Sequence, residues 1–545
     1  MTAVFLLHHL LQEAAQRYPD NEAVVLGEER VTYRTLDQLS NGLANTLSDQ
    51  GLQKGDRVVL YVPKSIAFFV GMYGALKSGG CYVPVNPDAP PVRCGQIVRD
   101  SRAAFLLTTS GLLENVRAEI GESDLRSVVL LDDAAHTTQP LKNGGEPILG
   151  GLSVVSFRGA PQDLTSLPNN LQAIENDTAC IYYTSGSTGI PKGVMRSHRN
   201  VLASAEFSAD CSDLTQSDRV ACPHPLHFAA SSFTIFGACM AGSTVVLFPD
   251  KIAMFPSQLA KLIESERVSV LDSVPSALIL MILYGSLEAR DLSHLRKVGF
   301  GGEAFPVKHL SRLMALIPNS RFLHGHASTE AGTTSVYWVK NVDPNQTSPI
   351  PIGKAPKNVE IFAVDSDGRK IEKPGEKGEL YVRGPMIMQG YWGDPERTAR
   401  SLVKNPLRPD LEERVVRTGD MVTLDQEGNY VYLGREDDMV KSRGNRVELG
   451  EVEATMYAHP AVKEVAVVPI PDDVIGNRIV AFVSLMDGSS VKREDLLAHC
   501  AQRLPRYMVP SSIELRDSLP KNPNGKIDKV SLIKEEVARG KGTTL

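Results

Sequence analysis

Residues 179–194 read ACIYYTSGSTGIPKGV. An apolar run from Ala179 to Tyr183 has the look of a buried strand. It enters a loop of Thr184, Ser185, Gly186, Ser187, Thr188 and Gly189, and Pro191, Lys192 and Gly193 follow. Glycines allow backbone N–H groups to approach an anion closely. Hydroxyl, amide and ammonium donors alternate here, a set suited to a polyphosphate. A Gly/Ser run alone equally suits a flexible connector. The strand before it and the Pro-Lys-Gly after it favour the phosphate reading. It is not the G-x-x-x-x-G-K-[ST] loop, because neither Ser nor Thr follows Lys192.

Around this segment the chain alternates helical and strand-like patterns. Leu6–Tyr18 reads as an amphipathic helix, Glu22–Tyr33 as two short strands, and Thr35–Gln50 as a second helix. DRVVLYV (56–62) and CYVPV (81–85) read as buried strands around a helix near 66–78. This alternation predicts α/β architecture. Strand signals separated by turns fill 359–432 and predict a β-rich subdomain. From about 438 a compact α+β pattern begins. The expected division is 1–436 for a large domain of two α/β subdomains plus the β-rich one, and 437–545 for a small mobile domain.

The 545 residues carry 58 Lys+Arg and 64 Asp+Glu, a formal net charge of −6. That balance argues against a general nucleic-acid binder, whose footprint is strongly basic. The seven cysteines form no C-x-x-C pair, which suits reduced thiols and a cytoplasmic location. Neither a secretory leader nor an apolar run of membrane-spanning length stands out, so integral membrane association is not expected.

The loop at 184–193 resembles the phosphate loop of the adenylate-forming, AMP-binding superfamily, which includes acyl-CoA synthetases, peptide-synthetase adenylation domains and luciferases. Eight further stretches resemble the remaining motifs of that family in order. They are VTYRTLDQLS, LKSGGCYVPVNP, GGEAF (301–305), HGHASTEAG (324–332), GELYVRGPMIMQGYWGDPERT, RTGD (417–420), GREDDMVKSRGNRVELGEVE and NPNGKIDK. Together they cover nearly the whole chain.

The resemblance implies ATP-dependent conversion of a carboxylic acid to an acyl-adenylate with release of pyrophosphate. Transfer to a pantetheine thiol follows. It implies that Thr184–Lys192 hold the phosphates and that Glu330 binds Mg²⁺ with Thr329 beside the α-phosphate. Gly301, Gly302, Glu303 and Ala304 line the adenine side, with His326, Ala327 and Ser328 completing the nucleotide site. His326 stands where the family usually places an aromatic side chain. Asp420 receives the ribose hydroxyls, with Arg435 nearby. Lys526 reaches the bond between carboxylate and α-phosphate, where a mobile ammonium suits developing negative charge. Asp437 is the implied hinge. Its rotation exchanges Lys526 for the Gly444 loop between the two half-reactions.

By position against the same motifs, the acyl pocket comprises His227, Ala229, Ala230, Phe233, Ser273, Gly299, Gly325, Thr333 and Thr334. Amino-acid adenylation domains place an Asp after the Phe of an F-D-x-S pattern, to pair with the substrate ammonium. Here Phe228 is followed by Ala229. An unpaired buried ammonium is costly, so the expected acid lacks an α-amino group. The expected acceptor is a separate acyl carrier protein, since no carrier domain follows within the chain. Coenzyme A is the alternative acceptor, and an amino-acid adenylating enzyme with a non-standard pocket is the alternative activity. A luciferase-like oxygenase and a non-catalytic nucleotide-binding homologue are more distant readings.

Overall fold

The computed structural model describes residues 4–133, 152–158, 172–185, 191–249, 252, 255–343, 346, 348–435, 439–486, 488–521 and 527–541. Two eight-stranded sheets and a five-stranded sheet build the large N-terminal region. A two-stranded ribbon and a three-stranded sheet follow. The expected α/β architecture, large region and small C-terminal region are all present.

The phosphate-loop strand, Thr178–Thr184, lies inside one eight-stranded sheet, between Cys81–Pro84 and Lys192–Ser197. Arg57–Tyr61 pairs in parallel with Cys81–Pro84 and with Ala103–Thr108. All six residues of Ala103–Thr108 are buried, as expected of a parallel strand covered on both faces. Thr178–Thr184 turns back antiparallel to Lys192–Ser197, setting Thr184 opposite Lys192. The helix His198–Cys211 then starts at once, because Ser197 and Asn200 close a reciprocal capping box.

The second eight-stranded sheet carries Arg219–Cys222, Val270–Ser273, Lys297–Gly301 and Arg321–Ser328 as parallel neighbours. Gly332–Val339 closes it as an antiparallel edge. The helix Ala229–Ala241 packs with His198–Cys211 and contributes Ile235 and Phe236 to the core. The β-rich subdomain pairs Glu360–Val364, Lys377–Arg383, Leu402–Lys404 and Tyr430–Arg435 around the long strand Arg414–Leu424.

The ribbon Met439–Ser442/Asn445–Glu448 starts the C-terminal region. Its core joins the helices Leu449–Tyr457 and Arg493–Ala501 to strands Val462–Asp472 and Gly476–Leu485 through Val452, Leu496, Val467 and Val483. The division expected at 436/437, with its hinge residue Asp437, lies outside the described residues, between Arg435 and Met439. The buried Arg93 and Glu451 side chains form an ion pair joining the two regions.

Candidate active site

Glu330 is the centre of the site. It follows the strand Arg321–Ser328 and is 5% exposed. Arg446 Nη1, on the C-terminal ribbon, approaches its Oε1 and Oε2 at 3.0 and 3.2 Å. Tyr391 donates its hydroxyl hydrogen to Oε1 at 2.9 Å. Lys192 Nζ stands 3.6 Å from the same oxygen and 3.7 Å from Glu448 Oε1. Burial alone raises a carboxyl pKa, but Arg446, Lys192 and the Tyr391 hydroxyl outweigh it and hold Glu330 down at about 2. Burial, with Arg446 beside it, lowers the pKa of Lys192.

Of the expected phosphate loop, Gly186, Ser187, Thr188 and Gly189 lie outside the described residues. Its two ends do not. Thr184 Oγ1 is buried with no hydrogen-bond partner among the described residues, a donor suited to an incoming anion. Ser185 Oγ donates to the carbonyl of Arg446 at 3.2 Å. The loop therefore touches the C-terminal region directly.

Asp420 and Arg435, expected on the ribose side, are paired with each other. Arg435 Nη1 donates to Asp420 Oδ1 at 2.8 Å and to the Thr418 carbonyl at 2.7 Å. Their strands pair in register. Asp420 Oδ2 is 3.4 Å from His326 Nε2. Burial works against its ionisation, yet the neighbouring His326, Arg435 and Lys441 hold the Asp420 carboxyl well below the usual range. His326 tilts against Tyr432, with centroids 5.8 Å apart. Thr329 and Ser328 serve the turn before Glu330. The Thr329 carbonyl accepts from Arg196, and Ser328 Oγ accepts from the Ala331 amide. Ala304 and Ala327 are exposed.

Several expected residues have other surroundings than the motifs imply. Glu303, expected on the adenine side, accepts from the Ser276 amide at 2.7 Å and from the Gly444 amide at 2.9 Å. Its carboxylate thus ties the second sheet to the C-terminal ribbon. Gly302, at φ +92, lies in the same seam, 4.0 Å from the Gly444 carbonyl by the position its Cβ would take. Thr334, expected in the acyl pocket, is fully buried. Its hydroxyl bridges His326, at 2.7 Å from Nδ1 and 3.0 Å from the carbonyl. Ser273 pairs with Phe300, which stacks on His324 with centroids 4.9 Å apart. The preceding residue, Asp272, pairs with Gly299 instead. Strand alternation therefore puts Asp272, not Ser273, on the face of Gly299. Gly325 pairs with Gly301, two residues beyond Gly299, and shares that face.

Ala229 and Ala230 begin the helix Ala229–Ala241. Phe233, one turn on, is 6.1 Å from the Phe207 ring. Thr333 is half-buried on the edge strand beside Ala327. His227 tilts against Phe228 with centroids 4.4 Å apart, and Phe228 faces Tyr507 of the C-terminal region at 6.2 Å. Burial pushes the His227 pKa down to about 3, with Lys64 and Arg93 adding to it, so the imidazole is neutral at ordinary pH. These rings line a 190 Å³ cavity between the two regions, together with Lys64, Asn86, Asp88 and Asn445. Lys526 lies outside the described residues.

Arg446, Glu448 and Lys441 carry much of the charge pattern and Tyr391 adds a hydroxyl donor, yet the motifs alone assign them no role. Each lies in a stretch already quoted. Only their tertiary contacts reveal them. Among the described residues no group of three or more His, Cys, Asp or Glu side chains is arranged to hold a metal. No helix among them is long and apolar enough to cross a membrane.

Residues 11–392 match the family of AMP-binding enzymes, and residues 451–526 match the AMP-binding enzyme C-terminal domain. The chain is 36% identical to an L-proline--[L-prolyl-carrier protein] ligase of Pseudomonas fluorescens, over 97% of this chain and 99% of that protein. It is 34% identical to tyrocidine synthase 3 of Brevibacillus parabrevis, over 98% of this chain but only 8% of that much longer protein. Among solved structures, that of IdnL1 superposes with a TM-score of 0.76 at 28% identity, covering 95% of this chain and 100% of the other. With a phosphate-loop strand, an STE carboxylate and a separate C-terminal region meeting in one seam, the chain belongs to the AMP-binding, adenylate-forming enzymes.

Proposed function

We propose that this protein activates a carboxylic acid with ATP as the acyl-adenylate, releasing pyrophosphate. It then passes the acyl group to the pantetheine thiol of a separate carrier protein. The observation that carries the second step is the seam itself. The Gly444 amide is bonded to Glu303, and Arg446 is bonded to Glu330. In this arrangement the Gly444 loop faces the site, as the family hinge implies for thioester formation. The 190 Å³ cavity beside His227, Phe228, Asn445 and Tyr507 suits a slender pantetheine arm. Similarity along almost the full length of a carrier-protein ligase supports a carrier acceptor.

Glu330 fits a magnesium ion as one buried, ionised carboxylate. Mg²⁺ commonly takes one or two carboxylates and completes its shell with phosphates and water. In this arrangement Arg446 engages both Glu330 oxygens, so metal and guanidinium compete for one group. When bound with ATP, magnesium neutralises phosphate charge during adenylation. Lys192 and Thr184 contribute donors to the same phosphates. Asp420 and Arg435 orient the ribose, and Lys526, on its motif, supplies the adenylation ammonium. Asp437 is the hinge of this reading.

The expectation of an acid without an α-amino group finds no support among the relatives. The similar ligase is named for L-proline, whose nitrogen is basic. Coenzyme A, with the same thiol arm, is the second acceptor to test. The experiment is acid-dependent ATP–pyrophosphate exchange, followed by mass-spectrometric detection of acyl transfer to a phosphopantetheinylated carrier protein or to coenzyme A. Exchange and carrier loading without acyl-CoA formation is the expected result. Phosphate in place of pyrophosphate overturns the reaction class. Acyl-CoA alone overturns the acceptor.

A further inference from the structure

Ala229 leaves the start of the expected acyl pocket without a counter-charge, but a carboxylate stands beside Gly299, another residue expected there. Asp272 and Gly299 are register partners on adjacent parallel strands. A Cβ built on Gly299 would lie 1.7 Å from Asp272 Oδ1. The bare glycine is therefore what leaves room for this carboxylate. On the same face, a Cβ built on Gly325 would meet nothing within 4 Å, so the space beside the carboxylate is open. Asp272 keeps 20% of its side chain exposed, whereas its partner Lys297 is fully buried.

Lys297 Nζ donates to Ser212 Oγ at 2.6 Å and lies 3.4 Å from Asp272 Oδ1. It anchors one oxygen from below. Oδ2 accepts no hydrogen bond from the described residues. A partly exposed carboxylate with one oxygen anchored and the other unpartnered among the described residues can receive an N–H donor. The nearby His224 offers no cationic competitor. Burial lowers its pKa to about 4 despite the Asp272 charge.

We propose that Asp272 is the specificity-determining residue for a substrate that carries a basic nitrogen, its carboxylate receiving the substrate ammonium over Gly299 and Gly325. The acid is then an amino acid or a cyclic imino acid, recognised from the strand Val270–Ser273 and not from the helix that begins at Ala229. This rests on the adenylation reading above, but not on the identity of the thiol acceptor.

The test is ATP–pyrophosphate exchange without any thiol, on the full-length protein and its Asp272→Asn variant. L-proline and other α- and β-amino acids are compared with amine-free isosteres such as cyclopentanecarboxylic acid. Wild type is expected to prefer an amine-bearing acid. Asp272→Asn is expected to lose about 100-fold in kcat/KM for that acid, the scale for truncating one partner of a buried charge pair. The isostere is expected to change less than about threefold. A purely structural role lowers both equally, and that outcome overturns the proposal. Because Asp272→Asn leaves Lys297 buried beside a neutral amide, the double variant Asp272→Asn/Lys297→Met serves as a second test, since it removes both charges of the pair. The same preferential loss for the amine-bearing acid is expected there. Exchange by wild type with amine-free acids alone overturns the role of Asp272 and leaves adenylation standing. Exchange with no acid at all sinks both.

Discussion

Arg446, from the C-terminal ribbon, holds Glu330, in the turn after the strand Arg321–Ser328, with its Nη1 at 3.0 and 3.2 Å from the two carboxylate oxygens. Glu330 is also the carboxylate that the STE motif offers to magnesium. The two partners compete, because a guanidinium on both oxygens neutralises the carboxylate's charge and occupies part of its lone-pair capacity. On the function proposed above, Glu330 would hold the ion during adenylation and Arg446 would take up the carboxylate once the ion had left, so one side chain would serve both half-reactions. Arg446→Gln should leave ATP–pyrophosphate exchange within about threefold of wild type and slow thioester formation about tenfold or more, in line with removing one partner of a buried charge pair. Single-turnover transfer from preformed adenylate measures the second step alone. Equal losses in both steps would show that Arg446 serves no conformational preference.

Gly444 gives an independent handle on the same seam. It sits at φ +71, and a Cβ built on it would lie 2.3 Å from Val274 Cγ1. A left-handed backbone costs a non-glycine residue about 1–2 kcal/mol before any clash. Gly444→Ala should therefore disfavour this docking and slow acyl transfer about tenfold, with exchange retained. Unchanged transfer kinetics would place the productive contact elsewhere.

The motif around Lys526 implies a part in the other half-reaction. Lys526→Ala is expected to slow exchange about 100-fold or more, the scale of losing one oriented charge at a developing anion. ATP affinity by calorimetry should stay within a few-fold, and transfer from supplied adenylate should continue. Normal exchange by that variant would remove Lys526 from the mechanism.

The α/β alternation is legible in the sequence because the parallel strands are apolar runs between turn signals, as at Arg57–Tyr61 and Cys81–Pro84. The strand Thr178–Thr184, the Glu330–Lys192 approach and the Asp420–Arg435 pair follow stretches that the local motifs mark out. Arg446 is not legible in this way, since its meaning depends on a partner 116 residues away. The contacts of Glu303 are hidden for the same reason, as its second partner, Gly444, lies across the seam. The Ser273 assignment shows another limit. A position one residue off along a strand points to the opposite face, and only the pairing of Asp272 with Gly299 fixes which face is which. Thr334 reads as pocket lining from its motif, although its hydroxyl is taken up by His326.

Acid should destabilise this protein in two stages, and the order follows from the buried imidazoles. Burial lowers His198 and His324 from 6.5 to about 4. Both are built into the structure as neutral rings. His198 Nδ1 accepts the Leu7 amide hydrogen at 3.1 Å, and His324 lies stacked on Phe300 with Nδ1 2.8 Å from the Pro351 carbonyl. A depressed histidine pKa means that the unfolded chain takes up the proton first. Stability is then greatest above pH 6.5 and falls as pH drops towards 4. The slope is about 1.4 kcal/mol per pH unit for each such histidine. Glu330 follows later. Its pKa is lowered from 4.5 to about 2, so its contribution is intact above pH 4.5 and lost between there and 2. Thermal melting across pH 7.5 to 4 should show Tm falling from about pH 6.5, well before carboxylates titrate. His198→Gln keeps an acceptor for the Leu7 amide and removes one titration, so it should flatten the slope by about one proton. A Tm that holds constant from pH 7 to 5 would mean that these rings gain protons in the folded state as readily as in the unfolded one.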